Sequence, residues 1–412
     1  LPRYREWYCL MRRHKSDRLI GVLTAILMVV GLVVIYTIGP MRTNYENAAY
    51  GLNADPNNYF WHQLISVVLA VGVFILAFKV PYGWIRRSAK IVLILGLLAC
   101  ALLAILATTN SSLASCQNGA CRWFNLGVVS FQPAELLKLG MVMYLADLIA
   151  ERKKQGKFER SSDFWLPFAI MSIISLVFVV IVQSDMGTGV ALVAIILAIL
   201  WMSNIKQQYF WLVVAIIAVA GVFAILMAPH RMERLMTFSG SGSEDDNYHI
   251  DNALMAIGSG GFFGVGIGNS VQATGYLPES INDSVFAVMG ETFGFLGLAL
   301  ILICFTILLF RMMRTATHLR DDDQRLMVAG FWAWIMAHMV TNIASMTGLI
   351  PLTGVTLPLL SYGGTSMLFM AFALGLTLQL SCYTSREEEK DESISSGRRL
   401  RGSYHSSRRR SA

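Results

Sequence analysis

The chain has 412 residues, of which 55% are hydrophobic and only 14% are charged, and its mean hydropathy is +0.56. A soluble domain is about 45–50% apolar and about 25% charged. The composition therefore excludes an ordinary soluble enzyme, a nucleic-acid-binding domain and a chain that is disordered over most of its length. The apolar residues come in long runs, which indicates that the bilayer is the solvent for most of the chain.

Ten apolar runs follow one another along the chain, and each is long enough to cross a membrane as a helix, which takes ~20 mostly apolar residues. The runs lie at 19–39, 62–80, 89–107, 134–150, 164–182, 187–203, 209–228, 285–310, 326–346 and 364–383. They are continuous rather than alternating, which favours helices over a transmembrane barrel. The predicted fold class is an all-α polytopic membrane protein with about ten transmembrane helices.

The distribution of basic residues predicts the orientation of these helices. If the N-terminus is cytoplasmic, 28 of the 33 Lys and Arg residues fall on the inner side, as the positive-inside rule requires. Arg42, Arg122, Arg231 and Arg234 fall outside, and Lys138 lies within a span. We therefore expect both termini in the cytoplasm, anionic lipid headgroups as a secondary partner and no nucleic-acid partner.

The topology divides the chain into three parts, of which the last is Ser/Arg-rich and is predicted to be disordered. The parts are a basic cytoplasmic tail at 1–18, a membrane domain at 19–383 and a cytoplasmic tail at 384–412. The longest loop, 229–284, joins the seventh and eighth spans and is predicted to lie outside. It opens with APHRMERLMTF, in which Arg231 and Arg234 have the spacing of a short helix lying in the membrane interface.

Two stretches of the outer loops have unusual local composition. AIGSGGFFGVGIGNSVQ (256–272) is partly apolar but too rich in glycine for a simple span. Irregular backbone at membrane depth is tolerated only where it is buried in protein or lines a cavity. In SCQNGAC, Cys116 and Cys121 share an outer loop, where a disulfide and two free thiols are both open interpretations.

Ionisable groups inside or beside the spans are candidates for function, because charge is costly in the bilayer. Glu135 and Lys138 lie three residues apart on one predicted helix and can pair. Either they lock the helix in place or they form the charged wall of an outward-facing cavity. Asp185 lies at an outer boundary. For His338, which lies among large apolar residues, a structural role in a hydrogen bond is the default expectation.

The segment YLPESINDSVFAVMGETFG (276–294) carries the strongest chemical signal. Asp283 lies at the predicted outer end of a span, where it either caps the helix or serves as a general base that water can reach. Glu279 is one turn earlier. Glu291 is two turns later, which predicts a position about 12 Å deeper on the same helix face.

Two more outer loops are too unusual to be simple spacers. CRWFNLGVVSFQPAELLKLG (121–140) places a tryptophan and a proline ahead of the charged helix, and GLIPLTGVTLPLLSYGGTS (348–366) packs prolines and glycines between two spans. Three such segments on one face indicate a built site.

Taken in order, these segments resemble the shape, elongation, division and sporulation (SEDS) family, the FtsW/RodA-type peptidoglycan glycosyltransferases of bacteria. The resemblance covers nearly all of residues 18–383. The motifs that carry it are RWFNLG…FQPAELLKL (122–139), QSDMGTG (183–189), AIGSGGFFGVGIGNSVQ (256–272), YLPES…DSVFAVMGE (276–291) and TLPLLSYGGTS (356–366). NLG, QPAE and GVTLP are more similar to the FtsW division branch than to the RodA elongation branch.

The resemblance implies a polymerase of lipid II at the outer face of the bacterial cytoplasmic membrane, acting in cell division, with a RodA-type elongation polymerase as the alternative. It places the catalytic aspartate at Asp283, and it matches the family's QPAE-helix charges to Glu135 and Lys138 and its QxDxGT aspartate to Asp185. It also implies a class B penicillin-binding protein transpeptidase and other divisome or elongasome proteins as partners.

The chain departs from the family pattern at two places. Gln272-Ala273 stands where the family usually has Gln-Lys, and Thr292 stands where it often has an acidic residue. The candidate substrate-binding residues are Arg122, Glu135, Lys138, Asp185, Arg231, Arg234, Glu279 and Glu291.

The chemistry of an inverting transfer needs a base opposite the leaving group, and Asp283 is the predicted base for the acceptor's 4-hydroxyl. Positive charge at the pyrophosphate is expected from Arg122, Lys138, Arg231 or Arg234, or from a divalent cation, Mg²⁺ or Mn²⁺, held by Asp283 and a neighbour. No Walker or Rossmann fingerprint occurs. A flippase for lipid-linked precursors and a scaffold that only recruits a transpeptidase are the rival hypotheses.

Overall fold

The computed structural model describes residues 15–51, 53–109, 112–117, 120–125, 127, 130–158, 161–227, 232 and 244–384. Each predicted span coincides with a helix in this part of the chain. The ten helices are α1 (Arg18–Tyr50), α2 (Asn58–Lys79), α3 (Tyr82–Thr108), α4 (Pro133–Lys154), α5 (Leu166–Leu176), α6 (Met186–Met202), α7 (Gln207–Leu226), α9 (Val285–His318), α10 (Asp322–Met346) and α11 (Gly364–Leu380). A further helix, α8 (Glu244–Ser259), lies in the long loop.

Eight helices of the described chain are long and apolar enough to cross a membrane, by length and composition. One of the eight is α5 extended by the π-helical turns on either side of it (Asp163–Val182). Of the other two predicted spans, α6 is apolar but shorter, and α4 carries Glu135, Lys138 and Asp147. α4 is nevertheless buried along most of its length, so protein rather than lipid surrounds its charges. The prediction of a polytopic helical membrane protein is confirmed.

The helices differ in how much of their surface the protein covers. α4, α10 and α11 are lined with buried residues and form the centre of the bundle, while α7 has no buried residue. Its apolar side chains, Trp211 and Val219 among them, are exposed. Such exposure suits a helix whose outer surface faces lipid.

α1 is longer than its apolar run, which ends at residue 39. The helix continues through Pro40 to Tyr50 and ends at Gly51, whose φ is +66°. Arg42 and Glu46 form an i,i+4 ion pair at 2.7 Å in this polar extension, and such pairs stabilise a helix. Hydropathy alone therefore underestimated the helix.

A small antiparallel sheet, which the sequence analysis did not predict, occupies the loop after α3. Its strands are β1 (Ala114–Gln117), β2 (Ala120–Asn125) and β3 (Ser130–Phe131), in the order β1–β2–β3. Cys116 faces Cys121 across the first pair of strands, and the two form a disulfide. Of the two open interpretations of these cysteines, the structure has the disulfide. The strands are too short for an alternating pattern to be recognised.

The glycine-rich stretch lies against a broken helix. α9 has a non-helical residue at Gly294, with φ +64° and ψ −168°, a conformation that favours glycine. The backbone N–H of Phe295 donates to the carbonyl of Gly261, and that of Val265 donates to the carbonyl of Glu291, both at 2.9 Å. The stretch is thus not wholly buried: α9 satisfies backbone groups, which leaves Phe263 and other apolar side chains free to be exposed.

Ion pairs gather the predicted inner segments at one end of the bundle. Arg86 Nε lies 2.7 Å from Asp147 Oδ1 and 3.2 Å from Asp323 Oδ2, and the Tyr82 hydroxyl donates to Asp323 at 2.6 Å. Further pairs at this end are Lys153–Asp322, Lys154–Asp321, Arg325–Asp322 and Arg311–Asp17. α9 runs from residue 285 to residue 318, so Asp283 lies at the opposite end.

Candidate active site

Asp283 lies in a tight turn ahead of α9. The carbonyl of Glu279, whose φ is +48°, accepts hydrogen bonds from the backbone N–H groups of Asn282 at 3.0 Å and Ser284 at 3.2 Å. The N-cap residue of α9 is Ser284, and the helix begins at Val285. Asp283 is therefore not the N-cap residue. Because it lies in a turn ahead of the helix that carries Glu291, the prediction that these two residues share a helix face is wrong.

Asn342 of α10 anchors this turn. Its side-chain Nδ2 donates to the carbonyl of Asp283 and to the carbonyl of Val355, at 2.7 Å in both cases. Asn342 is fully buried. One amide thus joins the Asp283 turn to the loop between α10 and α11. Asn342 is not ionisable and so was not among the predicted site residues; the available signal was an amide within the apolar run 326–346.

Arg122 of β2 lies close to Asp283. Its Nη2 donates to the carbonyl of Ser184 at 2.6 Å, which connects the sheet to the loop before α6. A Cβ added to Gly354 would lie 3.9 Å from Arg122 Nη1 and 3.9 Å from Asp283 Oδ2. The guanidinium and the carboxylate therefore approach the same small volume beside Gly354. Neither side chain is fully buried.

Asp185 is a buried helix cap. Its Oδ1 accepts from the backbone N–H of Thr188 at 3.0 Å and its Oδ2 accepts from the Thr188 hydroxyl at 2.8 Å. Gln132, just ahead of α4, donates to the same Oδ2 at 3.3 Å. The carboxylate thus holds the starts of α4 and α6 together. It also orders the loop that carries Ser184, whose carbonyl accepts the hydrogen bond from Arg122.

The loop between α10 and α11 packs against α6 at Gly187. A Cβ on Gly187 would overlap the Val355 side chain and would come within 3.0 Å of the Thr353 carbonyl. Only a residue without a side chain allows this approach. The QSDMGTG and GVTLP segments, which are far apart in the sequence, therefore meet next to Asp283.

Glu135 and Lys138 pair inside the bundle. Lys138 Nζ lies 2.7 Å from Glu135 Oε1 and 2.8 Å from His338 Nε2, and it sits 5.0 Å from the centre of the Trp334 ring. Both charged side chains are buried. The predicted pairing is confirmed. Because neither side chain is exposed, the pair does not form the wall of an open cavity, and His338 is hydrogen-bonded as expected.

Glu291 and Glu279, the other two carboxylates among the candidate site residues, form hydrogen bonds within the loops around the site. Glu291 is buried and accepts hydrogen bonds from the Ser270 hydroxyl and from the backbone N–H of Val271 at 2.9 Å, so it anchors the end of the glycine-rich stretch to α9. Glu279 is exposed and accepts from the Asn282 side chain. Arg231 and Arg234 lie outside the described residues, as do 1–14, 385–412 and all of the predicted interfacial helix except Met232.

Among the residues that the structure describes, no group of three or more His, Cys, Asp and Glu side chains could hold a metal ion. A site made wholly of protein ligands is thus not found among them. Mg²⁺ is also bound by one or two carboxylates together with substrate phosphates. Asp283 is the carboxylate at this site that fits such binding.

The fold and the site together define a polytopic helical membrane protein that presents a carboxylate and a guanidinium at one end of its bundle. The chain belongs to the FtsW/RodA/SpoVE family, whose model, described as "Cell cycle protein", matches residues 17–386.

Curated relatives match over most of their length. The chain is 30% identical to stage V sporulation protein E of Bacillus subtilis (strain 168), over 90% of this chain and 99% of that protein. It is 31% identical to the probable peptidoglycan glycosyltransferase FtsW of Nitrosomonas europaea, over 88% of this chain and 92% of that protein.

Solved structures share the fold. A chain from a structure described as "Structural coordination of polymerization and crosslinking by a peptidoglycan synthase complex" matches with a TM-score of 0.70 and 22% identity, over 89% of this chain and 97% of that one. The rod shape determining protein RodA of Thermus thermophilus matches with a TM-score of 0.63 and 24% identity, over 89% and 96%.

Proposed function

We propose that this protein is a peptidoglycan glycosyltransferase that polymerises lipid II at the outer face of the bacterial cytoplasmic membrane during cell division. Relatives named probable peptidoglycan glycosyltransferase FtsW support the activity and the division role. The structural observation that carries the proposal is the approach of Asp283 and Arg122 to one volume beside Gly354.

Asp283 serves as the general base. Its carboxylate takes the proton from the acceptor sugar's 4-hydroxyl as that oxygen forms a bond to C1 of the donor sugar, on the face opposite the leaving group. The bond from C1 to the lipid pyrophosphate breaks and its electron pair leaves with the pyrophosphate. The turn and Asn342 hold the backbone of Asp283 in place, so the base needs no large movement to act.

Arg122 supplies positive charge near the leaving pyrophosphate, and its hydrogen bond to the Ser184 carbonyl keeps it oriented. Lys138 is buried in the bundle with Glu135, and we assign to this pair the positioning of α4 rather than direct contact with substrate. Asp185, Glu279 and Glu291 support the loops around the site.

A divalent cation bound by the substrate phosphates is a second proposed source of positive charge, and Asp283 would hold it only if another group were the base. When bound, it would add positive charge at the pyrophosphate. Polymerisation that persists after EDTA treatment and dialysis would remove the cation from this proposal.

A class B penicillin-binding protein transpeptidase is the proposed partner, together with other division proteins. The similarity to a chain of a peptidoglycan synthase complex supports this proposal. Polymerisation by the purified protein should increase when the cognate transpeptidase is added. Equal rates with and without every candidate transpeptidase of the same organism would contradict the pairing.

The proposed orientation has both termini in the cytoplasm and the 229–284 loop outside. In a background without native free cysteines, a membrane-impermeant maleimide applied to intact cells should label Ser243→Cys and spare Ser395→Cys. The reverse pattern would overturn the orientation and with it the outward-facing site.

The decisive experiment is polymerisation of lipid II by the purified protein in detergent, with products resolved by gel electrophoresis. We expect long glycan chains. A flippase or a scaffold would leave lipid II unpolymerised. The presence or absence of glycan chains therefore distinguishes the proposed enzyme from those two alternatives.

A further inference from the structure

A basic cavity lies at the end of the bundle opposite Asp283. Its volume is about 520 Å³, and it is formed where the start of α1, the end of α9 and the end of α11 meet. The basic side chains that line it are Lys15, Arg18, Arg311 and Arg314, and the lining also includes His318, Ser381 and, among the described residues, a single carboxylate, Asp17.

The charges that line the cavity do not cancel. Arg311 forms a two-pronged ion pair with Asp17, in which Nε and Nη2 both lie 2.6 Å from Oδ2. This pair neutralises one basic residue of the lining. Lys15, Arg18 and Arg314 then leave an excess of positive charge around a space large enough for a phosphate-bearing group. An anion is the ligand that such a space favours.

Two of the three helices that form the cavity, α1 and α9, continue from it into exposed apolar stripes. On α1, Arg18 is followed one turn later by Val22, the second residue of a stripe that consists of Leu19, Val22, Ile26, Val29 and Val33, each at least 42% exposed. On α9, Arg314 is preceded one turn earlier by Phe310, the last residue of the stripe Leu300, Ile303, Ile307 and Phe310, each at least 40% exposed.

A basic cavity continuous with two apolar stripes matches the shape of a lipid. The positive side chains would bind a charged headgroup, and the stripes would contact acyl chains along the helices. A soluble anion or an acidic peptide would bind the positive side chains but would make no contact with the apolar stripes. Leu19 belongs to both features, since it lines the cavity and is the first residue of the α1 stripe.

We propose that this cavity binds a glycerophospholipid with an anionic, phosphate-bearing headgroup. On the proposed topology, the lipid belongs to the cytoplasmic leaflet, where basic pockets between transmembrane helices are known to bind such headgroups. The site is separate from the one proposed for lipid II, because α9 spans the distance from Asp283 to the cavity. A bound lipid would join the ends of α1, α9 and α11.

The test measures lipid binding to the full chain in detergent by native mass spectrometry. Dioleoyl phosphatidylglycerol is the probe, and dioleoyl phosphatidylcholine, which has the same acyl chains, is the reference. The test variant carries Arg18→Gln and Arg314→Gln. The matched control carries Arg87→Gln and Lys90→Gln, two exposed basic residues of the same predicted inner side that do not line the cavity.

We expect the wild type and the control to bind phosphatidylglycerol at least ~10-fold more tightly than phosphatidylcholine, which corresponds to about 1.4 kcal/mol. The test variant should lose most of this preference while its melting temperature in lipid-free detergent stays near that of the control. Unchanged preference in the test variant, or equal loss in the control, would overturn the proposal.

Two competition arms distinguish other occupants. Millimolar glycerol phosphate that displaces phosphatidylglycerol would show that a soluble phosphate suffices, and a peptide with the sequence SREEEKDE (385–392) that displaces it at micromolar concentration would identify the chain's own acidic segment as the occupant. Either result would overturn the assignment of a lipid. Persistence of the bound lipid in both arms supports it.

Discussion

The two ends of the helical bundle are held together in different ways. Around Asp283, side chains bind backbone carbonyls: Asn342 donates to two of them, and Arg122 donates to the carbonyl of Ser184. At the opposite end, Gln379 likewise donates to the carbonyls of Phe78 and Val80, but ion pairs between side chains are added there, as Arg86 forms with Asp147 and Asp323. Contacts to the backbone fix where a turn lies, whereas ion pairs between side chains leave the local chain path free to adjust.

Backbone conformation separates the two ends as well. Ser184, Glu279 and Leu359 are non-glycine residues with positive φ, and all three lie in segments that surround Asp283. Such conformations cost of order 1–3 kcal/mol each and persist only where their surroundings enforce them. In the described chain, the opposite end has one such residue, Asn204. The Asp283 end therefore holds an energetically unfavourable arrangement, which is typical of a site that positions reacting groups.

The largest expected effect is on catalysis at Asp283. Asp283→Asn keeps the size of the side chain but removes its ability to accept a proton, so we expect polymerisation to fall by ~10²–10⁴-fold. The melting temperature should stay close to that of the wild type, since Ser284 is the N-cap residue of α9. Lipid II polymerisation and thermal unfolding in detergent provide the two measurements.

The control for this experiment is Glu279→Gln, which alters an exposed carboxylate in the same turn. We expect it to retain most of the activity. If Asp283→Asn polymerises at a near wild-type rate, the base lies elsewhere, and Glu279 and Glu291 become the next residues to test.

The second effect concerns the ion pair of Glu135 and Lys138, which is buried within the bundle. Lys138→Met leaves Glu135 as an unpaired buried charge, and breaking a buried pair in this way destabilises a protein by about 3–5 kcal/mol. The double variant Glu135→Gln, Lys138→Met should recover much of this loss, because no charge is then left without its partner. Thermal unfolding of the two variants measures the difference.

This second experiment also tests the role of Lys138. If Lys138→Met melts and polymerises as the wild type does, the pair has neither a structural nor a catalytic role. A double variant that is stable but inactive would instead assign Lys138 a direct part in the reaction.

The third effect tests whether backbone anchoring matters at the Asp283 end. Asn342→Leu leaves the carbonyls of Asp283 and Val355 without their donor, which costs about 1–3 kcal/mol for each unsatisfied group. A displaced base reacts more slowly, so activity should fall by more than stability alone explains. The ratio of polymerisation rate to folded fraction provides this measurement.

Asn342→Asp is the companion variant, because it keeps the volume and removes the donating amide. Rates equal to the wild type in both variants would show that the turn holds its position without Asn342, and the contrast between the two ends would then lose its functional meaning.

The smallest effect is expected at the opposite end. Lys154 Nζ and Asp321 Oδ1 lie 3.5 Å apart in a partly exposed pair, and such pairs contribute about 0–1 kcal/mol. Lys154→Gln should therefore leave polymerisation unchanged and shift the melting temperature only slightly, with any shift shrinking at high salt. A large loss of activity would show that the inner end is coupled to the Asp283 end.

Much of the architecture could be predicted from the sequence, because the driving patterns are local. Each apolar run of about 20 residues must form a helix in lipid, and all ten predicted runs coincide with helices. The pairing of Glu135 with Lys138 follows from helical spacing in the same way. Family membership also follows from short ordered motifs, which the match over residues 17–386 confirms.

Contacts between distant segments could be recognised only in the tertiary structure. No local pattern indicates that the amide of Asn342 reaches the carbonyl of Asp283, 59 residues away, or that Glu291 binds the loop at Val271. Helical spacing led to a wrong prediction for Asp283 and Glu291, because Asp283 lies in a turn closed by the Glu279 carbonyl, ahead of the helix that carries Glu291. Hydropathy and spacing determine which segments cross the membrane, since burial in lipid acts on each segment alone. The geometry of the site depends on hydrogen bonds between segments, and those exist only once the bundle has packed.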